Sequence, residues 1–106
     1  MKYQEQRQHP RIKPPKSVVV AWQCGTHRDV CYVEDLALGG LYIRTKKKIP
    51  LRSAVQILLD MPVGQVRGRA IVRRIADHGI GLQIIAMDPG DRARLRQQLR
   101  ELPPST

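Results

Sequence analysis

Six short apolar runs, "SVVVAWQ", "RDVCYVEDL", "GLYIRT", "AVQILLD", "QVRGRAIVRRI" and "GIGLQII", follow one another along the chain with turn signals between them. No helical run interrupts them. The runs are rich in β-branched residues, and several alternate with a period of two. In the fifth, Val66, Gly68, Ala70 and Val72 fall on one face while Arg67, Arg69 and Arg73 fall on the other. Short strands at near-even spacing must bury one face each without help from crossover helices, which predicts an antiparallel barrel or sandwich.

The two ends read differently. Residues 1–16 are polar and basic and are broken by Pro10, Pro14 and Pro15, which excludes a helix or a central strand there. They form an arm, ordered on its own or by a ligand, ahead of a barrel domain spanning residues 17–106. Near the C-terminus, "MDPGDRARLRQQLREL" offers Asp88 as an N-cap, Pro89 at the first helical position and Asp91 in the first turn. Leu95, Leu99 and Leu102 then recur on one stripe, which predicts a helix over about residues 88–102. Arg92, Arg94, Arg96 and Arg100 occupy its other faces, either solvated above a barrel mouth or offered to a partner.

At 106 residues the chain is one domain, and its net charge of +10 with a pI near 10.5 calls for an anionic partner. No apolar run is long enough to span a membrane, and "MKYQEQRQHP" has no signal-peptide core, so the expected address is the cytoplasm. Cys24 and Cys31 flank a turn at "GTHR" out of register with each other, which predicts reduced thiols. With His27 they lack a fourth ligand, so no metal is expected. His9, His27 and His78 are scattered, and nothing pairs a nucleophile with a base. The sequence therefore does not read as an enzyme.

One stretch needs its own account. "VEDLALGG", residues 33–40, places an acid and two adjacent glycines before the run "LYIRT" in an otherwise basic chain. Arg7 and Arg11 bracket "QHP" in the arm, and Asp35, Ala37 and Gly40 set out an Asp-x-small-x-x-Gly pattern. An arginine pair four residues apart, followed by a strand entering that pattern and "GLYI", resembles the PilZ domain, the bacterial receptor module for cyclic di-GMP. "GRAIVRRIADHGIGLQI" is similar to that family's closing strands, and the likeness runs from Arg7 to about Leu102.

The resemblance implies a six-stranded antiparallel β-barrel with a C-terminal α-helix and a flexible N-terminal arm, and a ligand, cyclic di-GMP, in place of any cofactor. Arg7 and Arg11 would grip phosphates or the guanine O6/N7 edge, for which a forked guanidinium is suited. Asp35 would accept from guanine N1 and N2, or else cap the turn or pair with one of the arginines. Gly39 and Gly40 would supply positive backbone dihedrals or let the chain approach the ligand without a Cβ in the way, or else form a plain turn or bulge between strands. Ala37 stands where the family most often has serine and so forgoes one hydrogen bond. Arg73 would stack on a guanine, with Arg74 taking its place if the register slips by one, and either is otherwise simple surface charge. Gln6, in place of an arginine, favours one ligand per chain. With no output domain in the sequence, the receptor would signal to an unidentified effector protein. Two other readings compete: a degenerate adaptor that binds only protein, for example in type IV pilus function, and a single-stranded nucleic-acid binder. The absence of Phe and the single Trp argue against nucleic acid, and Trp22 is expected in the core rather than on a stacking platform.

Overall fold

The computed structural model describes residues 12–15 and 17–101. Each of the six apolar runs forms a strand: β1 (Val19–Cys24), β2 (His27–Ala37), β3 (Gly40–Arg44), β4 (Ala54–Met61), β5 (Gly64–Ala76) and β6 (Gly79–Ala86). They close into a barrel in the order β1-β2-β3-β6-β5-β4, with every neighbouring pair antiparallel. Barrel rather than sandwich is the outcome. Helix α1 (Pro89–Glu101) follows, with Arg92 N–H donating to Asp88 C=O at 2.9 Å in its first turn.

Alternation sets which side chains fill the barrel. Val66, Ala70 and Val72 point inward from β5 and are buried, joined by Trp22, Leu36, Leu41, Ile43, Leu59 and Ile80 from the other strands. At 2% exposure Trp22 belongs to this core, and its Nε1 has no hydrogen-bond partner among the described residues. Cys31 lies opposite Val20 and Cys24 opposite His27, so the cysteines are out of register, as expected, and both are free. Burial pushes the Cys31 thiol up; the nearby Trp22 indole N–H, a contact short of a hydrogen bond, opposes this, and the Asp29 charge adds to it.

The helix is more firmly seated than its leucine stripe alone suggests. Leu95 is buried against the barrel, and Gln98 is buried beside it. Gln98 Oε1 accepts from Val63 N–H at 3.0 Å, so a polar side chain fixes the β4–β5 turn. Arg94 donates to Gln65 C=O at 3.1 Å and to Asp91 Oδ1 at 3.0 Å. This arginine ties helix to strand, whereas Arg96 and Arg100 are solvent-exposed. Leu102 lies outside the described residues. No helix among the described residues is long and apolar enough to cross a membrane.

Candidate functional site

The acid-and-glycine stretch forms the end of β2, a two-residue link and the start of β3, with Ala37 opposite Gly40. Its register is broken once. A bulge between Val33 and Asp35 leaves Glu34 as the extra residue, so two consecutive acids leave the strand in different surroundings. Glu34 reaches Lys13 Nζ at 3.7 Å and Arg44 at 3.5 Å. Asp35 sits half-buried opposite Tyr42, and Ala37 is 6% exposed.

The glycine pair has a definite physical role. Among the described residues the positive φ values belong to Gly25, Gly64 and Arg52, not to Gly39 or Gly40. Close approach is the requirement at Gly40, where a Cβ would lie 2.5 Å from the Leu82 carbonyl oxygen of β6. Gly39 C=O accepts from Ile84 N–H at 2.9 Å, which fastens the link to the same strand. The hairpin is thus pressed against β6.

A transverse row of side chains runs outward from Asp35. Tyr42 pairs with Asp35 on one side and Gly81 on the other, and Gly81 pairs with Arg74. The Arg74 guanidinium lies 5.4 Å from the Tyr42 ring centroid, a cation–π contact. The glycines of "GIG" make room for it: a Cβ on Gly79 would meet the Tyr42 hydroxyl at 2.8 Å, and one on Gly81 would touch Arg74 at 3.4 Å. A second bulge, between Val72 and Arg74, makes Arg73 the extra residue and puts Arg74 in register with Gly81. Arg73 Nε instead donates to Gln83 Oε1. The two arginines are therefore both outward, each on its own partner.

Of the residues singled out in the sequence, Asp35, Ala37, Gly39 and Gly40 come together on one hairpin, with Arg73 on the same side of the barrel wall through Gln83, the neighbour of Gly40. Gln6, Arg7 and Arg11 lie outside the described residues. Their anchor does not. Ile12 N–H donates to Leu36 C=O at 2.7 Å and Leu36 N–H to Ile12 C=O at 2.8 Å, an isolated antiparallel bridge. Ile12 and Pro14 are buried on the barrel. Tyr42 and Gly81 were not among the expected site residues; the pairing of a tyrosine in "LYI" with the spaced glycines of "GIG" was their signal.

Two surface clefts of about 910 and 740 Å³ lie elsewhere, and neither is lined by Asp35, Ala37, Gly39 or Gly40. No cluster of three His, Cys, Asp or Glu side chains among the described residues could hold a metal. The arrangement brings two carboxylates, Glu34 and Asp35, near the Tyr42 ring and the Arg74 guanidinium.

A closed six-stranded antiparallel barrel with a C-terminal helix packed on it defines a small β-barrel module. The family model for the PilZ domain matches residues 5–101, and the chain belongs to that family. Among solved structures, the PilZ domain of YcgR from Escherichia coli, with c-di-GMP, superposes with a TM-score of 0.76 at 17% identity, covering 92% of this chain and 91% of that one. The MrkH–c-di-GMP complex of K. pneumonia gives 0.76 at 14% identity over 91% of this chain and 51% of MrkH. The inhibitor of motility MotI/DgrA of Bacillus subtilis gives 0.73 at 19% identity over 91% of this chain and 50% of that protein. This chain thus spans about half the length of the last two. No curated protein sequence matches it.

Proposed function

We propose that this chain is a cyclic di-GMP receptor rather than an enzyme. The observation that carries the reading is the Ile12–Leu36 bridge. Ile12 follows Arg11 directly and Leu36 lies between Asp35 and Ala37, so one pair of hydrogen bonds joins the residue after the arginine pair to a residue within the hairpin pattern. The YcgR and MrkH structures, each with c-di-GMP, support the same ligand.

In this reading Arg7 and Arg11 close on phosphate and guanine edges from the arm of residues 1–16, and Asp35 accepts from guanine N1 and N2. Gly39 and Gly40 keep the hairpin low enough for the ligand to lie across it. Arg74, released from Tyr42, or Arg73, released from Gln83, stacks on a base. Gln6, in place of an arginine, favours one ligand per chain over two. Binding orders the N-terminal arm, and the changed surface is what an effector protein reads.

A second reading is favoured by one residue. Ala37 removes a hydroxyl from the hairpin, as expected of an adaptor that has left its nucleotide and binds only protein. Titration calorimetry at physiological salt with cyclic di-GMP, cyclic di-AMP and GTP separates the two. Selective heat with cyclic di-GMP, lost in Arg11→Ala and strengthened up to roughly tenfold in Ala37→Ser, is the receptor outcome. Silence with all three nucleotides is the adaptor outcome. An Arg11→Ala protein that binds like wild type overturns the site assignment.

A further inference from the structure

β2 is longer than the partner that should cover it. Its residues 33–37 pair with β3, but residues 27–31 pair only with β1, and among the described residues no strand lies along their other edge. The side chain of Asp29 confirms which edge is open: its Oδ1 accepts from Val30 N–H at 2.8 Å, taking a main-chain donor that a neighbouring strand would otherwise use. By the alternation of an extended chain, Arg28 N–H points the same way. The outward side chains beside this edge are apolar and exposed, Val30 at 63% and Tyr32 at 54%.

The opposite wall is cationic. β3 turns away toward β6, with Thr45 N–H donating to His78 C=O at 3.1 Å, and the gap it leaves is the cleft of about 740 Å³ whose lining includes Val30, Tyr32, Arg44, Lys46 and Lys47, with Asp29 as the acid among them. Arg44 is shared with Glu34. Lys46 and Lys47 are exposed, and no acidic side chain among the described residues pairs with either.

We propose that this cleft receives an extended acidic segment of a partner protein, which adds a strand to the open edge of β2 and sets its carboxylates against Lys46 and Lys47. An unpaired edge beside a cleft is the geometry of strand addition, in which main-chain bonds hold the segment and side chains select it. Charge chooses the occupant. A second copy of this chain would bring another +10 to the same place, and residues 1–11 carry Lys2, Arg7 and Arg11 against Glu5 alone. Asp29 acts as a placeholder, surrendering Val30 N–H to the incoming carbonyl. It also guards the edge in the free protein.

The test uses the full chain without nucleotide, so that it stands apart from the receptor reading. A labelled heptapeptide of alternating valine and glutamate is titrated by fluorescence anisotropy, and amide shifts are followed by NMR. The expected result is saturable binding with the largest shifts at Arg28 and Val30. Affinity should fall at least about tenfold when alternate peptide nitrogens are methylated, when glutamate is replaced by lysine, or in a Lys46→Glu, Lys47→Glu variant; it should rise in Asp29→Ala. Binding indifferent to N-methylation, shifts centred elsewhere, or no binding at millimolar peptide overturns the proposal. Self-association of the wild type through residues 27–31, or contacts from residues 1–11 to that edge in the free protein, overturns it in favour of those occupants.

Discussion

Residues 33–37 of β2 have a neighbour on both sides, β3 along one edge and Ile12 at Leu36 along the other, whereas residues 27–31 have β1 alone. Residues 33–37 are buried or half-buried and carry Asp35 and Ala37 of the family pattern; residues 27–31 are exposed apart from half-buried Cys31. One strand thus supplies a fixed scaffold at one end and an unpaired sheet edge at the other. A single bulge at Glu34 separates them.

The sharpest way to break this contrast is to remove a side chain from each half. Leu36→Ala empties a fully buried site and is expected to cost about 2–5 kcal/mol in urea unfolding, whereas Val30→Ala should stay within about 0.5 kcal/mol. Equal costs would mean that residues 27–31 are covered in solution. Gly40→Ala comes next. Its Cβ would press on the backbone carbonyl of Leu82, which has little room to yield, so a loss of about 1–3 kcal/mol is expected by the same measurement. Arg74→Ala should cost less, about 0.5–1 kcal/mol for an exposed cation over the Tyr42 ring.

Hydrogen exchange sharpens the contrast without mutation. The Leu36 amide, bonded to Ile12, should exchange with the core, and the Arg28 amide on the order of a hundredfold faster or more. The smallest effect concerns Cys31, at the boundary of the two halves. Its thiol is raised in the folded chain, chiefly by burial, so the neutral form is favoured there. The stability this contributes is fully present below the ordinary thiol range and is lost as pH rises through the raised value. Unfolding midpoints of wild type and Cys31→Ala should accordingly converge at alkaline pH, and a constant gap would contradict it.

Much of this architecture was legible because it depends on local pattern. Alternation located all six strands, and Asp88 and Pro89 located the helix start. The bulges were not legible. Whether Glu34 or Asp35 leaves the ladder depends on what β3 offers opposite, and the same holds for Arg73 and Arg74 against β6. Gln98 was hidden for a related reason: it lies three residues after Leu95, on the inward stripe, but only the turn at Val63 gives its amide a partner. Gly40 was recognised as necessary, while its reason, the nearness of β6, belongs to the closed barrel. The open edge of β2 had a faint signal in the length of "RDVCYVEDL" against "GLYIRT".

Glu34 is held at once by Lys13, just beyond the arginine-bearing segment, and by Arg44, on the wall of the cationic cleft. Each bond is exposed and weak by itself. Their importance lies in competition, because a carboxylate divided between two cations behaves like the pivot of a balance. Drawing Lys13 away hands the whole charge to Arg44, and drawing Arg44 away returns it. A substitution at Lys13 therefore changes the charge that Arg44 meets, and the two cations are linked through one side chain.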